Sequence, residues 1–497
     1  MLNCDLFFYL DNNIQELNYD NKKKELGQVF TPKWIVELIL DEIGYVEDIF
    51  NKKILEPSCG DGAFLCVIVK RYIENALKNN IDMALIKKGL ENNILGIEID
   101  KYFFEECIKN LNKVAENYNI RDINWKILNK DALKHNFKEK FDFIVGNPPY
   151  VRVHNLDTLT RNFLKSNYSF CCEGSTDLYY AFYEKAIIDI KNNGKIAFIT
   201  PNSFMKNASG KTMRNYILGN NLLNKLINFQ EFQVFNTATV YSAIMILSKN
   251  NDSFEYCNFI NNKIELIKKI NYNDVSTTEW NFSNNQKINF LKKADNNIKV
   301  QNGFATLCDK LYITDKIEEI DNKYILFNGE KIEKSITKPI VKANRYNGEE
   351  IKTRIIFPYE NLNSKNYEVI ASKQMIKKFP FCYEYFLKNK ELFLNRDLDK
   401  NWKEWYQFGR SQSIQNIHQK KIVINNIIKD SVRFFELNSE IMVYSGLYII
   451  SNNIDYIRER LSSQDFIDYV KIVGKDMRGG YKSFTSKNLS NFLNMEI

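Results

Sequence analysis

The run Phe143-Ile144-Val145-Gly146-Asn147-Pro148-Pro149-Tyr150 restricts the fold of this chain more than any other stretch. Three consecutive apolar residues read as a strand buried on both faces, the pattern of a parallel sheet covered by helices. Two consecutive prolines then end the strand, fix φ and remove two N–H donors. What remains beyond the strand is acceptor chemistry: the Asn147 side-chain oxygen and the Pro148 carbonyl, with the flat ring of Tyr150 beside them. Two such acceptors match the two hydrogens of one planar –NH2 group, and a ring can stack on the plane that carries it. A base amine and an amide nitrogen both have that shape. A Pro-rich turn would use the same residues, so the neighbouring strands have to decide.

Upstream, Lys53-Ile54-Leu55 reads as a short strand that runs into Glu56-Pro57-Ser58-Cys59-Gly60-Asp61-Gly62 and then a helix over Ala63–Leu77. Strand, glycine loop and helix open a nucleotide-binding α/β unit, because glycines admit a ligand to the backbone and the helix N-terminus offers free N–H groups. The loop is not GxGxxG and has no Walker lysine. Gly210-Lys211-Thr212 has the end of a phosphate loop, but Met205 stands where its first glycine belongs, so it reads as a helix start. The second strand, Ile94–Ile99, carries Glu98 at its end, where a carboxylate can reach ribose hydroxyls. Glu98 comes later than the roughly 20 residues of dinucleotide-binding units, which argues against NAD. The third strand, Trp125–Leu128, is followed by Asp131. Groups placed after four successive strands share one edge, where open α/β sheets bind ligands.

Thr31 then Pro32 reads as the N-cap and first position of a helix over Trp34–Ile43. Residues 101–118 form an amphipathic helix, and 151–174 read as a long loop holding Arg152, His154, Arg161 and Lys165. A helix over Asp177–Lys191 and a strand over Gly194–Pro201 follow, then a helix over Lys211–Leu218. Leu223–Phe229 and Tyr241–Leu247 suit an antiparallel hairpin whose loop carries Phe232, Phe235 and Thr239.

A chain of 497 residues is too long for one ordinary domain. Residues 250–290 turn rich in Asn, Asp and Lys, the composition of a linker, and short strands and helices follow. Lys and Arg against Asp and Glu sum to +1 over residues 1–270 and +7 over 271–497, so the basic half calls for a polyanionic partner. It also carries aromatic-basic clusters, Trp402, Trp405, Tyr406, Phe408, Gly409 and Arg410, then Lys475, Arg478, Gly479, Gly480, Tyr481 and Lys482, that can grip phosphates and fit against bases. Nine scattered cysteines without CxxC fit a reduced, cytoplasmic protein, and no run of 18 apolar residues spans a membrane. Three histidines far apart, His135, His154 and His418, argue against a His-ligated metal and a Ser-His-Asp triad.

In the order Gly27–Thr31, Glu56–Gly62, Glu98, Asp131 and Asn147–Tyr150, with a basic half after, the chain resembles the adenine-N6 DNA methyltransferases of bacterial restriction–modification systems. It is similar to the class whose cofactor motifs precede Asn-Pro-Pro-Tyr and whose target recognition domain is C-terminal. The resemblance covers 27–249 motif by motif and 290–497 in general character. It implies a Rossmann-like α/β domain with a seven-stranded sheet ending in a reversed hairpin, over residues 1–265 with its core at 27–249. A linker at 266–289 and a mixed α+β DNA-recognition domain at 290–497 would follow. The implied cofactor is S-adenosylmethionine: Val29 and Thr31 would border it, and Glu56, Pro57, Ser58, Cys59 and Gly60 would hold its methionine end. Glu98 would take its ribose and Ile99 its adenine face. Asp131 would accept from the adenine amine, with Ala132 and Pro149 alongside. Asn147, Pro148 and Tyr150 would hold the target adenine, with Phe235 pressing on it, and Arg410 and Arg478 would contact DNA. The implied partner is double-stranded DNA, with a separate restriction endonuclease at the same site left open. No proline is followed by Asp, so modification without cutting is expected. An RNA adenine methyltransferase and a protein-glutamine methyltransferase remain alternatives, since each presents an equivalent –NH2.

Overall fold

The computed structural model describes residues 31–172, 174, 176–235, 240–274, 280, 282, 298–363, 366–396, 403–409, 414 and 419–495. Val29, Thr239, Trp402, Arg410 and His418 lie outside the described residues. The chain divides into two compact units, residues 1–284 and 285–497.

The first unit is built on one sheet. Its strands are β1 (Ile54–Glu56), β2 (Ile94–Glu98), β3 (Lys126–Asn129), β4 (Phe141–Gly146), β5 (Ile190–Pro201), β6 (Leu223–Asn228), β7 (Ser242–Leu247), β8 (Ser253–Ile260) and β9 (Lys263–Asn271). The order is β3-β2-β1-β4-β5-β7-β6-β8-β9. β3, β2, β1, β4 and β5 are mutually parallel, and β7 runs antiparallel to both β5 and β6. The first seven strands are the Rossmann-like sheet with its reversed hairpin. β8 and β9 extend it by two, so residues 266–271, expected in a linker, belong to an edge strand instead. The linker composition is real but misleading: β9 keeps most of its charged side chains in water, because an edge strand over the rim of a sheet needs little apolar area.

Alternate residues of the central strands feed two different cores. Leu55 and Ile144 are buried in one layer, Ile54 and Val145 in the other, as the two-residue side-chain period of a strand requires. Helices cover both faces: α1 (Lys33–Glu42), α2 (Ala63–Lys78), α3 (Met83–Asn93), α4 (Lys101–Glu116), α5 (Thr158–Asn167), α6 (Tyr179–Asp189) and α7 (Lys211–Gly219). α5 lies inside the segment expected as a long loop. It is short, and its N-cap is Asp157, whose carboxylate accepts from the Thr160 N–H at 3.0 Å. α3 is likewise absent from the sequence reading; Asp82 caps it, accepting from the Ala84 N–H at 2.8 Å.

The second unit is α+β. Strands 299–302, 447–450, 421–424 and 434–437 form an antiparallel sheet, and the helices Ile454–Ser462, Gln464–Val473 and Ser486–Leu493 share a core with it. A separate aromatic core corrects one expectation: Tyr406 and Phe408, read as part of a base-gripping cluster, are fully buried. Phe408 stacks on Phe304 at 5.1 Å, and the Tyr406 hydroxyl donates to the Ile370 carbonyl at 2.5 Å. A β-carbon on Gly409 would come within 2.4 Å of Leu307, so that glycine serves packing. Among the described residues, no helix is long and apolar enough to cross a membrane.

Candidate active site

The carboxyl ends of β1, β2, β3 and β4 open on a single cleft of about 750 Å³. Thr31, Glu56, Pro57, Ser58, Cys59, Gly60, Glu98, Ile99, Asp131, Ala132, Asn147, Pro148, Pro149 and Tyr150 all line it. The sheet reverses its order between β1 and β4, so the chain departs in opposite directions there and leaves a crevice.

β1 delivers Glu56, 2% exposed, to the floor of the cleft. Beyond it the loop turns sharply: Gly60 has φ +53° and Gly62 φ +94°, and a β-carbon at Gly62 would lie 3.0 Å from Cys107 Sγ. Only glycine fits both the angle and the space. The Cys59 N–H donates to the Ile97 carbonyl at 2.9 Å, tying the loop to β2. Glu98 completes the tie. Its carboxylate accepts from the Gly60 N–H at 2.8 Å and the Asp100 N–H at 2.9 Å. Glu98 therefore shapes the glycine loop as well as facing the cleft. Asp131 is held by the Leu133 N–H at 3.0 Å and pairs with Lys134 at 3.4 Å. The Asn129 side chain donates to the carbonyls of Glu98 and Ile99, locking the ends of β2 and β3 together.

At the end of β4, the Asn147 side-chain nitrogen donates to Thr31 Oγ1 at 3.1 Å. Thr31 was expected to cap α1, but no side-chain cap is made there and Pro32 takes the N-cap position. Its hydroxyl holds the Asn147 amide instead, across 116 residues of sequence. Ser58 Oγ donates to the Asn147 carbonyl at 3.4 Å. The Tyr150 hydroxyl donates to the Ile199 carbonyl at 3.2 Å, which anchors the ring at the end of β5. Phe235 is buried rather than lining the cleft, with its ring edge-on to Tyr150 at 6.2 Å. Arg478 lies in the second unit, exposed at the turn between strands Lys475–Met477 and Tyr481–Ser483. The sequence reading missed the apolar part of the lining, formed by Leu133, Phe163, Leu164 and Phe182. Those from α5 and α6 have ordinary helical spacing, and nothing local marks them as facing a ligand.

Burial raises the carboxyl of Glu56 well above the ordinary glutamate value, and the nearby Cys107, Asp61 and Glu98 add to it. Glu98 is raised too, burial outweighing the backbone N–H groups of Asp100, Gly60 and Ile99 that favour its charge. A carboxyl raised in the folded state binds its proton more tightly there than when unfolded. Its contribution to stability is full below the unfolded value of 4.5 and is lost as pH rises through the folded value. At neutral pH the Glu56 carboxyl thus weighs against the fold, with Oε2 buried and without a hydrogen-bond partner among the described residues. Glu56→Gln is expected to raise the thermal stability of the ligand-free protein at pH 7. The gain should shrink on acidification and vanish below about pH 4.5. Calorimetric melts across that range check it; a gain independent of pH would refute the cause.

A buried carboxylate oxygen without a partner among the described residues, a buried acid at the end of β2 and a glycine loop opening a helix fit a polar, positively charged nucleoside ligand. The chain also matches the Eco57I restriction-modification methylase family over residues 70–235. The type II methyltransferase M.BstVI of Geobacillus stearothermophilus is 27% identical over 91% of this chain and 87% of its own length. M.HincII of Haemophilus influenzae is 25% identical over 95% and 89%. The restriction enzyme and methyltransferase RM.Eco57I of Escherichia coli is 28% identical, but this chain spans 39% of it. Among solved structures, the type IIL restriction-modification enzyme MmeI in complex with DNA shares the fold, with TM-score 0.64 and 15% identity over 96% of this chain and 67% of that one. Fold, cleft and similarity together align the chain with restriction–modification DNA methyltransferases, and the residues of the cleft fit S-adenosylmethionine as cofactor.

Proposed function

We propose that the chain methylates the N6 amine of an adenine rotated out of duplex DNA. One observation carries this reading. Asn147 and Pro148 stand beside the Tyr150 ring in the same cleft as Glu56, Glu98 and Asp131, so an amine clamp and a nucleoside site share one cavity. The adenine amine is a poor nucleophile, because its lone pair is delocalised into the ring. The Asn147 side-chain oxygen and the Pro148 carbonyl would accept its two hydrogens and favour tetrahedral nitrogen. Tyr150, anchored through its hydroxyl, would stack on the base, with Phe235 supporting the ring from behind. Bound S-adenosylmethionine supplies an already activated methyl group. Glu56 through Gly60 would hold its methionine end, Glu98 and Ile99 its ribose and adenine, and Asp131, with Ala132 and Pro149 alongside, its adenine amine. Positioning and electrostatics then carry the rate. A base stacked in a duplex cannot reach such a cleft, so it must leave the helix.

We assign choice of the DNA site to residues 285–497, with Arg478 as a phosphate or base contact on its hairpin turn. Arg410 is kept as a second candidate on sequence alone. A separate endonuclease reading the same site is the natural partner of a modifying enzyme that does not itself cut. RNA and protein glutamine would satisfy the same clamp, but the type II methyltransferase relatives favour DNA. Sequencing DNA from cells with and without this gene should show N6-methyladenine at one recurring motif only when the gene is present. Methylation confined to cytosine, or none, would defeat the reading.

A further inference from the structure

Arg152 stands at the mouth of the cleft, two residues beyond Tyr150, and is exposed. Its backbone is well braced. The Val153 N–H donates to the Thr176 carbonyl at 2.9 Å, and the Leu178 N–H donates to the Val151 carbonyl at 2.7 Å. Arg152 itself pairs antiparallel with Asp177. Val153, the first residue of a short 3-10 turn, is buried in the core, while Arg152 just before it is exposed. The two prolines before Tyr150 keep the chain between clamp and arginine stiff. The other charged residues lining the cleft are Glu56, Asp61, Glu98 and Asp131 with Lys130 and Lys134, the last already paired with Asp131; Lys130 and Lys134 follow β3, whereas Arg152 follows Tyr150.

We propose that Arg152 binds the phosphodiester next to the adenine that enters the cleft; this rests on the function proposed above. A base rotated out of the duplex stays tied to its sugar and both phosphates. Seating the base between Asn147 and Tyr150 therefore brings a phosphate to the mouth, beside the braced guanidinium. That group offers parallel N–H donors matched to phosphate oxygens. The carboxylate of the cofactor is the other anion with suitable chemistry. It belongs with the Glu56–Gly60 end of the cleft rather than the Tyr150 end.

The test compares wild type, Arg152→Ala and Arg152→Lys on a duplex carrying the motif found by methylation sequencing, with 2-aminopurine at the target position. Cofactor affinity, measured by calorimetry without DNA, should be the same in all three. The slope of log affinity for duplex against log salt should be shallower by about 0.9 in Arg152→Ala, one phosphate contact fewer. Fluorescence of the extruded 2-aminopurine should fall several-fold. Arg152→Lys should keep the slope and recover part of the fluorescence, since a point charge lacks the planar fork. A merely structural role would shift melting and leave the slope alone. An unchanged slope in Arg152→Ala overturns the proposal, as does lost cofactor affinity with the slope intact. A wild type that methylates no duplex instead overturns the function on which it rests.

Discussion

Replacing Asn147 with alanine is expected to slow single-turnover methyl transfer roughly 100- to 1,000-fold, while cofactor and duplex affinities stay nearly unchanged. The reason lies in when the contact matters. An adenine amine in its ground state is flat and weakly basic. Its hydrogens gain positive character only as nitrogen begins to bond to carbon, so an acceptor fixed in advance acts most strongly in the transition state. Asn147 is fixed in advance: its amide is held by Thr31 at 3.1 Å and its backbone carbonyl by Ser58 at 3.4 Å. Those bonds set a graded control. Thr31→Ala keeps the acceptor but loosens its orientation, so it should cost less than Asn147→Ala. Tritiated cofactor and a motif-bearing duplex, both saturating, give the rates. An Asn147→Ala enzyme running at the wild-type rate would eliminate the amine clamp. A Thr31→Ala defect as large would mean that the threonine, not the asparagine, meets the substrate.

Glu98→Ala is expected to weaken S-adenosylmethionine by about 1.5–3 kcal/mol, the scale of hydrogen bonds to a charged group, or about 10- to 150-fold. The structure enlarges what the substitution removes. Glu98 also accepts from the Gly60 and Asp100 N–H groups, so alanine would strip two backbone donors of their partner and release the glycine loop. Glu98→Gln separates the effects. Its amide has one oxygen where the carboxylate has two, so one donor stays satisfied and the other faces an –NH2 group. Its affinity should fall between wild type and alanine. Calorimetric titration with the cofactor decides. Equal affinity in all three proteins would remove Glu98 from the cofactor site, and Glu98→Gln matching wild type would show that the charge itself is idle.

Several parts of this protein were legible in the residues alone, for local reasons. A buried strand stopped by two prolines, a glycine loop between strand and helix, and acids just past strand ends are consequences of neighbouring residues. Parallel topology then forces those ends to one edge, which is why Glu56, Glu98, Asp131 and Asn147 line one cleft. Where burial depends on distant packing, composition failed. β9 looked like a linker, because a sheet edge tolerates charge. α5 looked like loop, because its few apolar residues matter only against a wall built elsewhere. Tyr406 and Phe408 looked like a nucleic-acid surface, because an aromatic beside a basic residue reads the same whether its ring faces water or a core. Partners remote in sequence were invisible for the same reason. Thr31 sits before a helix and has the chemistry of a cap, and only the folded chain brings Asn147 within reach of its hydroxyl. The sequence by itself determined which acids and amine-binding groups the cleft would contain. The tertiary structure decided which of them hold one another in place, since that depends on distances across the sheet that no local spacing encodes.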